Sequence, residues 1–289
     1  MITEKSNPLT VDIDLKSGKE IALLMNNEDK KVAGAINKIL PKIGDAIEQI
    51  AEHIANGGKV GYFGAGTSGR IGILDAAEIP PTFGADENLF KAFIAGGNRA
   101  LLEAVENAED STELALADFN DFAPQRNDVI IAISASGNPA YTVEILRLAM
   151  SAGIFCIALT SNSDAAFKPY ADIFLCTDLG PEVITGSSRL KSGTAQKMIL
   201  NMLSTGAMIK LGKTYKNYMV DLKINNQKLH KRALHFITQI CDIDVKTAEN
   251  ALNIAGNVKT ACVMLKKNCS LLEAQKLLHE AGGILRRII

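Results

Sequence analysis

The chain has 289 residues, of which 47% are hydrophobic and 22% charged, a composition that excludes an intrinsically disordered protein. Its 31 basic and 32 acidic residues give a net charge of −1, which argues against binding nucleic acid or an anionic membrane through an overall positive field. No apolar run reaches about 18 residues, so we expect no transmembrane helix, and the N-terminus has no signal-peptide pattern. The five cysteines form no C-x-x-C pair; we expect reduced thiols and therefore a cytoplasmic protein.

Apolar runs and helical patterns alternate along the first two thirds of the chain. The runs predicted as strands are 59–63, 90–95, 128–134, 154–160 and 172–177. Helices are predicted from Pro41 to about residue 54 and over 71–78, 98–107 and 140–152. This alternation is typical of an α/β fold, with a parallel sheet covered by helices on both faces.

The pattern changes after about residue 180. An apolar-rich helix is predicted over 189–211, and residues 226–289 are predicted to form several short helices. Ser270 and Glu273 have the spacing of a capping box at the start of one of them. We therefore expect a helical N-terminal extension over 1–40, an α/β domain over 41–215 and a helical C-terminal domain over 216–289.

A glycine-rich turn follows the first predicted strand. Residues 64–69 (GAGTSG) match the G-x-G-x-x-G pattern of dinucleotide-binding folds, in the expected strand-to-helix context. That fold also needs an acidic residue after the next strand to hold the ribose, and residues 93–97 (FIAGG) contain none. The sequence therefore disfavours a nicotinamide enzyme, although the turn can still bring backbone N–H groups close to an anion.

Two strand-to-helix turns carry hydroxyl groups. The first contains Thr67 and Ser68, and the second, residues 134–138 (SASGN), contains Ser134, Ser136 and Asn138. Serines at such positions can act only as helix caps. Two such turns together favour a binding site for one small phosphate group, because hydroxyls and helix N-termini both donate hydrogen bonds to anions.

A third hydroxyl cluster, residues 186–194 (GSSRLKSGT), opens the long helix. Its Ser187, Ser188 and Lys191 can bind sugar hydroxyls or phosphate. The alternative is a capped helix start with solvated charges, and the sequence leaves both interpretations open.

Two glutamates are candidate acid–base residues, although ordinary surface carboxylates remain the alternative. Glu78 and Glu109 are both predicted near helix C-termini, where the helix dipole disfavours a negative charge. No metal site is predicted, because His230 and His235 are five residues apart and do not share a helix face.

Three segments carry a family resemblance: 64–84 (GAGTSGRIGILDAAEIPPTFG), 106–111 (ENAEDS) and 180–206 (GPEVITGSSRLKSGTAQKMILNMLSTG). They are similar to N-acetylmuramic acid 6-phosphate etherases, and the resemblance extends over nearly the whole chain. The last segment also resembles in part the glucokinase regulatory protein, a non-enzymatic relative. The resemblance implies a sugar isomerase (SIS) domain, a flavodoxin-like sheet that binds phosphosugars.

The resemblance also implies a reaction. Etherases of this family cleave the D-lactyl ether of N-acetylmuramic acid 6-phosphate to N-acetylglucosamine 6-phosphate and D-lactate, in the recycling of cell-wall sugars. By motif, Glu78 matches the family's catalytic acid and Glu109 its second catalytic carboxylate, while Ser68, Ser134 and Ser136 match phosphate-loop positions. The elimination chemistry needs no metal or redox cofactor.

Two alternatives would use the same turns. An aldose–ketose isomerase would also remove the C2 proton of a sugar 6-phosphate, and a regulator would bind the phosphosugar without converting it. We expect a homodimer, because SIS domains often complete their sites across a subunit boundary. The helix at 189–211 also has enough apolar residues to pack against a partner.

Overall fold

The computed structural model describes residues 4–289, and these contain a five-stranded parallel sheet. The strands are β1 (Val60–Gly64), β2 (Phe90–Ile94), β3 (Val129–Ile133), β4 (Phe155–Thr160) and β5 (Ile173–Cys176). Across the sheet their order is β2-β1-β3-β4-β5, and every neighbouring pair is parallel. The α/β fold predicted from the sequence is confirmed, and each predicted strand boundary is correct to within one residue.

Helices precede, connect and follow the strands. In chain order, the helices of the described residues are α1 (Gly18–Asp29), α2 (Lys31–Asn37), α3 (Leu40–Ala55), α4 (Gly66–Phe83), α5 (Arg99–Leu102), α6 (Thr112–Phe122), α7 (Ala140–Ser151), α8 (Lys191–Lys210), α9 (Gln227–Cys241), α10 (Val245–Ala255), α11 (Val258–Lys267) and α12 (Leu271–Glu280). None of them combines the length and the apolar character that crossing a bilayer requires.

Strands β1 and β3 occupy the interior of the sheet, and none of their residues is exposed. Apolar residues suit this position because helices cover both faces of the sheet. On one face the ring of Phe63 stacks on Phe93, with centroids 4.8 Å apart, and both meet the edge of Phe122. This packing fixes the end of β1, from which the first hydroxyl-bearing turn emerges.

Helix α4 continues past the point at which the sequence predicts its end. Pro80 and Pro81 lie inside the helix, so the prediction of a boundary there is wrong. A proline has no N–H and so removes one helical hydrogen bond, but its carbonyl can still accept one. The Pro80 carbonyl accepts from the Gly84 N–H at 2.9 Å, which closes the last turn.

The segment after β2 also differs from the prediction. The helix expected over 98–107 is only the four-residue α5, and a 3₁₀ turn at Ala108–Asp110 follows it. Helix α6 was not predicted; it begins where the Ser111 hydroxyl accepts from the Leu114 N–H at 3.1 Å. Glu109 therefore precedes a helix N-terminus, and the argument that it opposes a helix dipole is wrong.

The chain divides into two compact units. One comprises the residues up to Ala77 together with Asn88–Ser204, and the other comprises Glu78–Glu87 and Thr205–Ile289. The sequence-based domain boundaries at residues 40 and 215 stay a prediction.

The second unit contains the four short helices α9–α12. A capping side chain accepts from the backbone N–H three residues later at the start of each of them; these caps are Asn226, Asp244, Asn257 and Ser270. The capping box of Ser270 and Glu273 is confirmed. The buried alanine, isoleucine and leucine residues of these helices form one apolar core.

The apolar side chains of α8 are largely buried within the chain. Ile199, Leu200 and Leu203 have no exposed surface, whereas Ile209 is 51% exposed. The helix therefore offers little apolar surface to a partner, and the homodimer stays a prediction.

Candidate active site

The two hydroxyl-bearing turns meet at the carboxyl edge of the sheet, where β1 and β3 are neighbours. In this strand order β1 and β3 flank the topological switch point, where open α/β sheets bind ligands. The turns line a cavity of about 270 Å³, which we call the hydroxyl cavity. Its hydroxyl-bearing lining residues are Thr67, Ser68, Ser134, Ser136 and Ser188.

The first turn depends on close packing between strand and helix. A Cβ atom on Gly64 would lie 2.7 Å from the backbone nitrogen of Gly69, and one on Gly69 would lie 2.6 Å from Ile94. Helix α4 begins at Gly66, which has a positive φ of 52°. The first N–H groups of a helix have no intrahelical acceptor, so they can donate to a ligand at this end of the cavity.

The second turn is held by its own serines. The Ser134 hydroxyl accepts from the Gly137 N–H at 3.0 Å, and the Ser136 hydroxyl accepts from the Asn138 N–H at 3.3 Å. Each oxygen acts as an acceptor within the turn, which leaves its own hydrogen to donate into the cavity. Asn162, which the sequence analysis did not identify, donates to the Ser136 carbonyl at 2.8 Å.

Asn138 does not line the hydroxyl cavity. Its side-chain oxygen accepts from the Ala166 N–H at 3.0 Å, and the residue is exposed. Through this hydrogen bond, Asn138 links the turn to the segment after β4.

Replacing Gly137 by alanine is expected to damage this turn. Gly137 has a φ of +68°, and an added Cβ would lie 2.4 Å from Ala165 and 2.5 Å from the ring of Phe167. Gly153 is the control, because its φ is +69° and its Cβ would meet nothing within 4 Å. Gly137→Ala should lower the free energy of unfolding by about 1–3 kcal/mol more than Gly153→Ala, measured by urea denaturation. Equal losses would contradict this packing role.

The third cluster contributes Ser188 to the hydroxyl cavity. Ser187 is half-buried and is not among the lining residues. A Cβ atom on Gly193 would lie 3.4 Å from Cγ2 of Thr67, so the start of α8 packs against the turn after β1. Two clusters that are far apart in the sequence therefore meet at one site.

Lys191 does not face the hydroxyl cavity, and its assignment to substrate binding requires correction. Its side chain is fully buried, and its Nζ donates to Glu28 at 2.7 Å, to the Leu179 carbonyl at 2.9 Å and to the Pro181 carbonyl at 2.7 Å. An ammonium group has three N–H donors, so none remains for a ligand. Buried Glu182 caps the same helix by accepting from the Lys191 N–H at 3.0 Å.

Removing the Lys191 charge is expected to destabilise the fold. Burial alone would raise the pKa of Glu28, but hydrogen bonds from Lys191 and Lys31 outweigh it and lower that pKa. Lys191→Met should reduce the free energy of unfolding by about 3–5 kcal/mol in urea denaturation, because it removes the buried one of the two cations that pair with Glu28 and leaves the Leu179 and Pro181 carbonyls without this donor. The Glu28→Gln/Lys191→Met double variant should lose less. Equal losses in the two variants would show that the charge pair is not responsible.

The same pair predicts an acid-sensitive contribution to stability. A carboxyl whose pKa is lowered by folding stabilises the protein above its unfolded pKa, and this effect disappears as the pH falls through the lowered value. Glu28→Gln should therefore flatten the loss of stability below about pH 4.5. Parallel pH profiles of wild type and variant, measured by urea denaturation, would contradict this linkage.

Glu109 lies at the opening of the hydroxyl cavity and also lines a second, larger one. The second cavity has a volume of about 410 Å³ and shares Ala65, Gly66 and Glu109 with the first. We call it the acidic cavity because several carboxylates line it: Glu103, Glu106, Glu109 and Asp110. An exposed carboxylate at the junction of two cavities is positioned to act on the middle of an extended ligand.

Glu78 lines neither cavity. It is exposed on α4, twelve residues after Gly66 in the sequence. Of the two candidate carboxylates, the structure thus brings Glu109 to the cavities.

Comparisons with known proteins agree over the whole chain. Residues 42–150 match the glucokinase regulatory protein N-terminal SIS domain, 111–206 match the SIS domain, and 216–255 match the C-terminal lid domain of glucokinase regulatory protein. N-acetylmuramic acid 6-phosphate etherases from Edwardsiella ictaluri and Clostridium beijerinckii are 47% and 46% identical. The alignments cover 99% and 100% of this chain, and 96% and 95% of the relatives. The chain belongs to the N-acetylmuramic acid 6-phosphate etherase family.

Solved structures show the same fold as this member of the etherase family. A Listeria monocytogenes protein described as a sugar-phosphate isomerase has a TM-score of 0.50 and 18% identity, covering 69% of this chain and 94% of its own. A protein from E. coli CFT073 has the same TM-score and identity, covering 70% of this chain and 96% of its own. At this identity they support the fold alone.

A buried polar network, which the sequence analysis missed, anchors α4 beneath the site. Asp75 accepts from the Tyr62 hydroxyl at 2.9 Å, from the Asn201 amide at 2.5 Å and from the Ser204 hydroxyl at 3.2 Å. Burial, and then the charge of Asp75, raise the pKa of Tyr62 well above its usual value, so the phenol stays a donor. The network ties α4 to β1 and α8, and so fixes the helix that carries Thr67.

Proposed function

We propose that the protein cleaves the D-lactyl ether of N-acetylmuramic acid 6-phosphate, giving N-acetylglucosamine 6-phosphate and D-lactate. The observation that carries this proposal is the 42–47% identity to etherases of that name over nearly the full length of both chains. The hydroxyl cavity supports it, because it brings together the residues expected to hold a phosphate group. We place the reaction in the cytoplasm and in peptidoglycan recycling.

The phosphate group is proposed to lie in the hydroxyl cavity. Thr67, Ser68, Ser134 and Ser136 would donate hydrogen bonds to it, together with the first N–H groups of α4. Ser188, which lines the same cavity, would bind the sugar hydroxyls. The described residues that line this cavity include no lysine or arginine, so hydroxyls and backbone N–H groups would carry the binding.

The proposed chemistry begins with opening of the sugar ring, which exposes an aldehyde at C1 and acidifies the C2 proton. Glu109 removes that proton, the C3–O bond breaks, and Glu78 donates a proton to the departing lactate oxygen. Water then adds to the C2=C3 double bond with its hydroxyl at C3, and the ring closes. Each positioned acid or base contributes a factor of about 10²–10⁴ to the rate.

A homodimer is part of the proposal. Glu78 is exposed in the single chain and lines neither cavity. A second copy of the chain would shield this carboxylate from water and supply it to the site. Leu74, one turn before Glu78 and 53% exposed, would be covered at the same contact.

The test is incubation of the purified protein with N-acetylmuramic acid 6-phosphate and an enzymatic assay for D-lactate. Release of lactate in equal amount to N-acetylglucosamine 6-phosphate is expected. A ketose 6-phosphate product would instead indicate an isomerase, and binding of the substrate without turnover would indicate a regulator. Either of those results would overturn the proposal.

A further inference from the structure

Arg70 is placed to recognise a second anionic group of the ligand. It lies on α4 four residues after Gly66, and therefore on the same side of the helix. Among the described residues that line the hydroxyl and acidic cavities, Arg70 is the one with a cationic side chain. The function proposed above leaves Arg70 without a role.

The guanidinium group is held in place by backbone carbonyls rather than by a carboxylate. Its Nε donates to the Leu101 carbonyl at 3.0 Å and its Nη2 donates to the Glu103 carbonyl at 2.8 Å. These contacts use two of the five N–H groups of a guanidinium, and both acceptors are neutral carbonyl oxygens. Since the residue is half-buried, the remaining donors are both oriented and accessible.

The arrangement of the cavities matches the order of groups along the substrate. The phosphate is on C6 of the sugar, whereas the lactyl ether is on C3, and the C2 proton lies beside it. With the phosphate in the hydroxyl cavity and C2 at Glu109, the lactyl group extends into the acidic cavity, which begins at Glu109.

The charges around this cavity favour one position for a carboxylate. Glu106, Glu109 and Asp110 repel an anion, while Glu103 forms an ion pair with Arg99 at 2.8 Å. A guanidinium and a carboxylate form paired, charge-assisted hydrogen bonds of well-defined geometry. A carboxylate that enters the acidic cavity would therefore bind the guanidinium group of Arg70.

We propose that Arg70 binds the carboxylate of the lactyl group and so selects the muramic acid substrate over sugar phosphates that lack it. This inference rests on the proposed etherase function. It assigns Arg70 to binding and specificity, with the proton transfers left to the two glutamates.

The test compares Arg70→Met with wild type on N-acetylmuramic acid 6-phosphate and on its lactamide analogue, in which the carboxylate is a neutral amide. Arg70→Met should raise KM for the acid about 10- to 100-fold, the effect of losing charge-assisted hydrogen bonds, and should leave KM for the lactamide unchanged. Inhibition by N-acetylglucosamine 6-phosphate, which has no lactyl group, should keep its strength. Arg70→Lys should recover part of the loss. Arg147→Met, which removes an exposed arginine that lines neither cavity, should behave as wild type.

Two outcomes would overturn the assignment. Equal losses on the acid and the lactamide would show that Arg70 only supports the loop that carries Leu101 and Glu103. Weaker inhibition by N-acetylglucosamine 6-phosphate would show that Arg70 serves the phosphate. If wild type releases no lactate, the proposed function fails, and calorimetric binding of the acid and the lactamide still decides the role of Arg70.

Discussion

Glu109→Gln is expected to reduce the rate of lactate release by a factor of about 10²–10⁴, the range for loss of a positioned general base. Glutamine has nearly the same shape but cannot accept the C2 proton. Because Glu109 is exposed in a short 3₁₀ turn, the substitution should leave the fold and the affinity for N-acetylglucosamine 6-phosphate unchanged. Steady-state kinetics, with calorimetry of the product complex, measures both quantities.

The control is Glu113→Gln, which changes an exposed carboxylate four residues later that lines neither cavity. It should retain full activity.

Exchange of the substrate's C2 hydrogen in D₂O distinguishes the roles of the two glutamates. The Glu78→Gln variant should still exchange this hydrogen, whereas the Glu109→Gln variant should not. Near-normal lactate release by Glu109→Gln would contradict the assignment of Glu109 as the base.

The fold and the hydroxyl turns could be predicted because their signals are local in sequence. Five apolar runs and two glycine-containing turns each depend on a few neighbouring residues, and the structure has them where the sequence placed them. The parallel sheet then brings the ends of β1 and β3 together without further information from the sequence.

The predictions that failed depend on distant partners. Lys191 reads as a solvated or ligand-binding cation because its partner, Glu28, lies 163 residues away in the chain. Likewise, Arg70 donates to backbone carbonyls 31 and 33 residues away. Every residue has such a carbonyl, so the residue types in the sequence do not indicate this contact. The predicted end of α4 is wrong because prolines usually end a helix, whereas Pro80 and Pro81 lie inside this one.

The net charge of −1 is compatible with a doubly anionic substrate because the two anionic groups would be recognised by different means. The hydroxyl cavity would hold the phosphate with neutral donors, and Arg70 would hold the carboxylate with one anchored cation. Neither needs a positive field over the whole surface. We therefore expect KM to depend only weakly on ionic strength.

Mixing two inactive variants should restore activity if a second copy of the chain supplies Glu78. Glu78→Gln and Glu109→Gln homodimers each lack one carboxylate in every site. In a mixed dimer, one site would receive Glu109 from one copy and Glu78 from the other, while the second site would lack both. After random exchange half of the dimers are mixed, so about one quarter of wild-type lactate release should return, given two equivalent sites in a symmetric dimer.

The same mixture distinguishes an arrangement in which both carboxylates of a site come from one chain. In that case no mixed dimer contains a complete site, and the activity stays at the level of the separate variants. Mixing Glu78→Gln with the Glu78→Gln/Glu109→Gln double variant controls for exchange itself, since it should restore nothing under either arrangement. Because Glu78 is exposed and lines neither cavity in the single chain, recovery near one quarter is the expected result. No recovery, with subunit exchange verified, would remove the second copy from the mechanism.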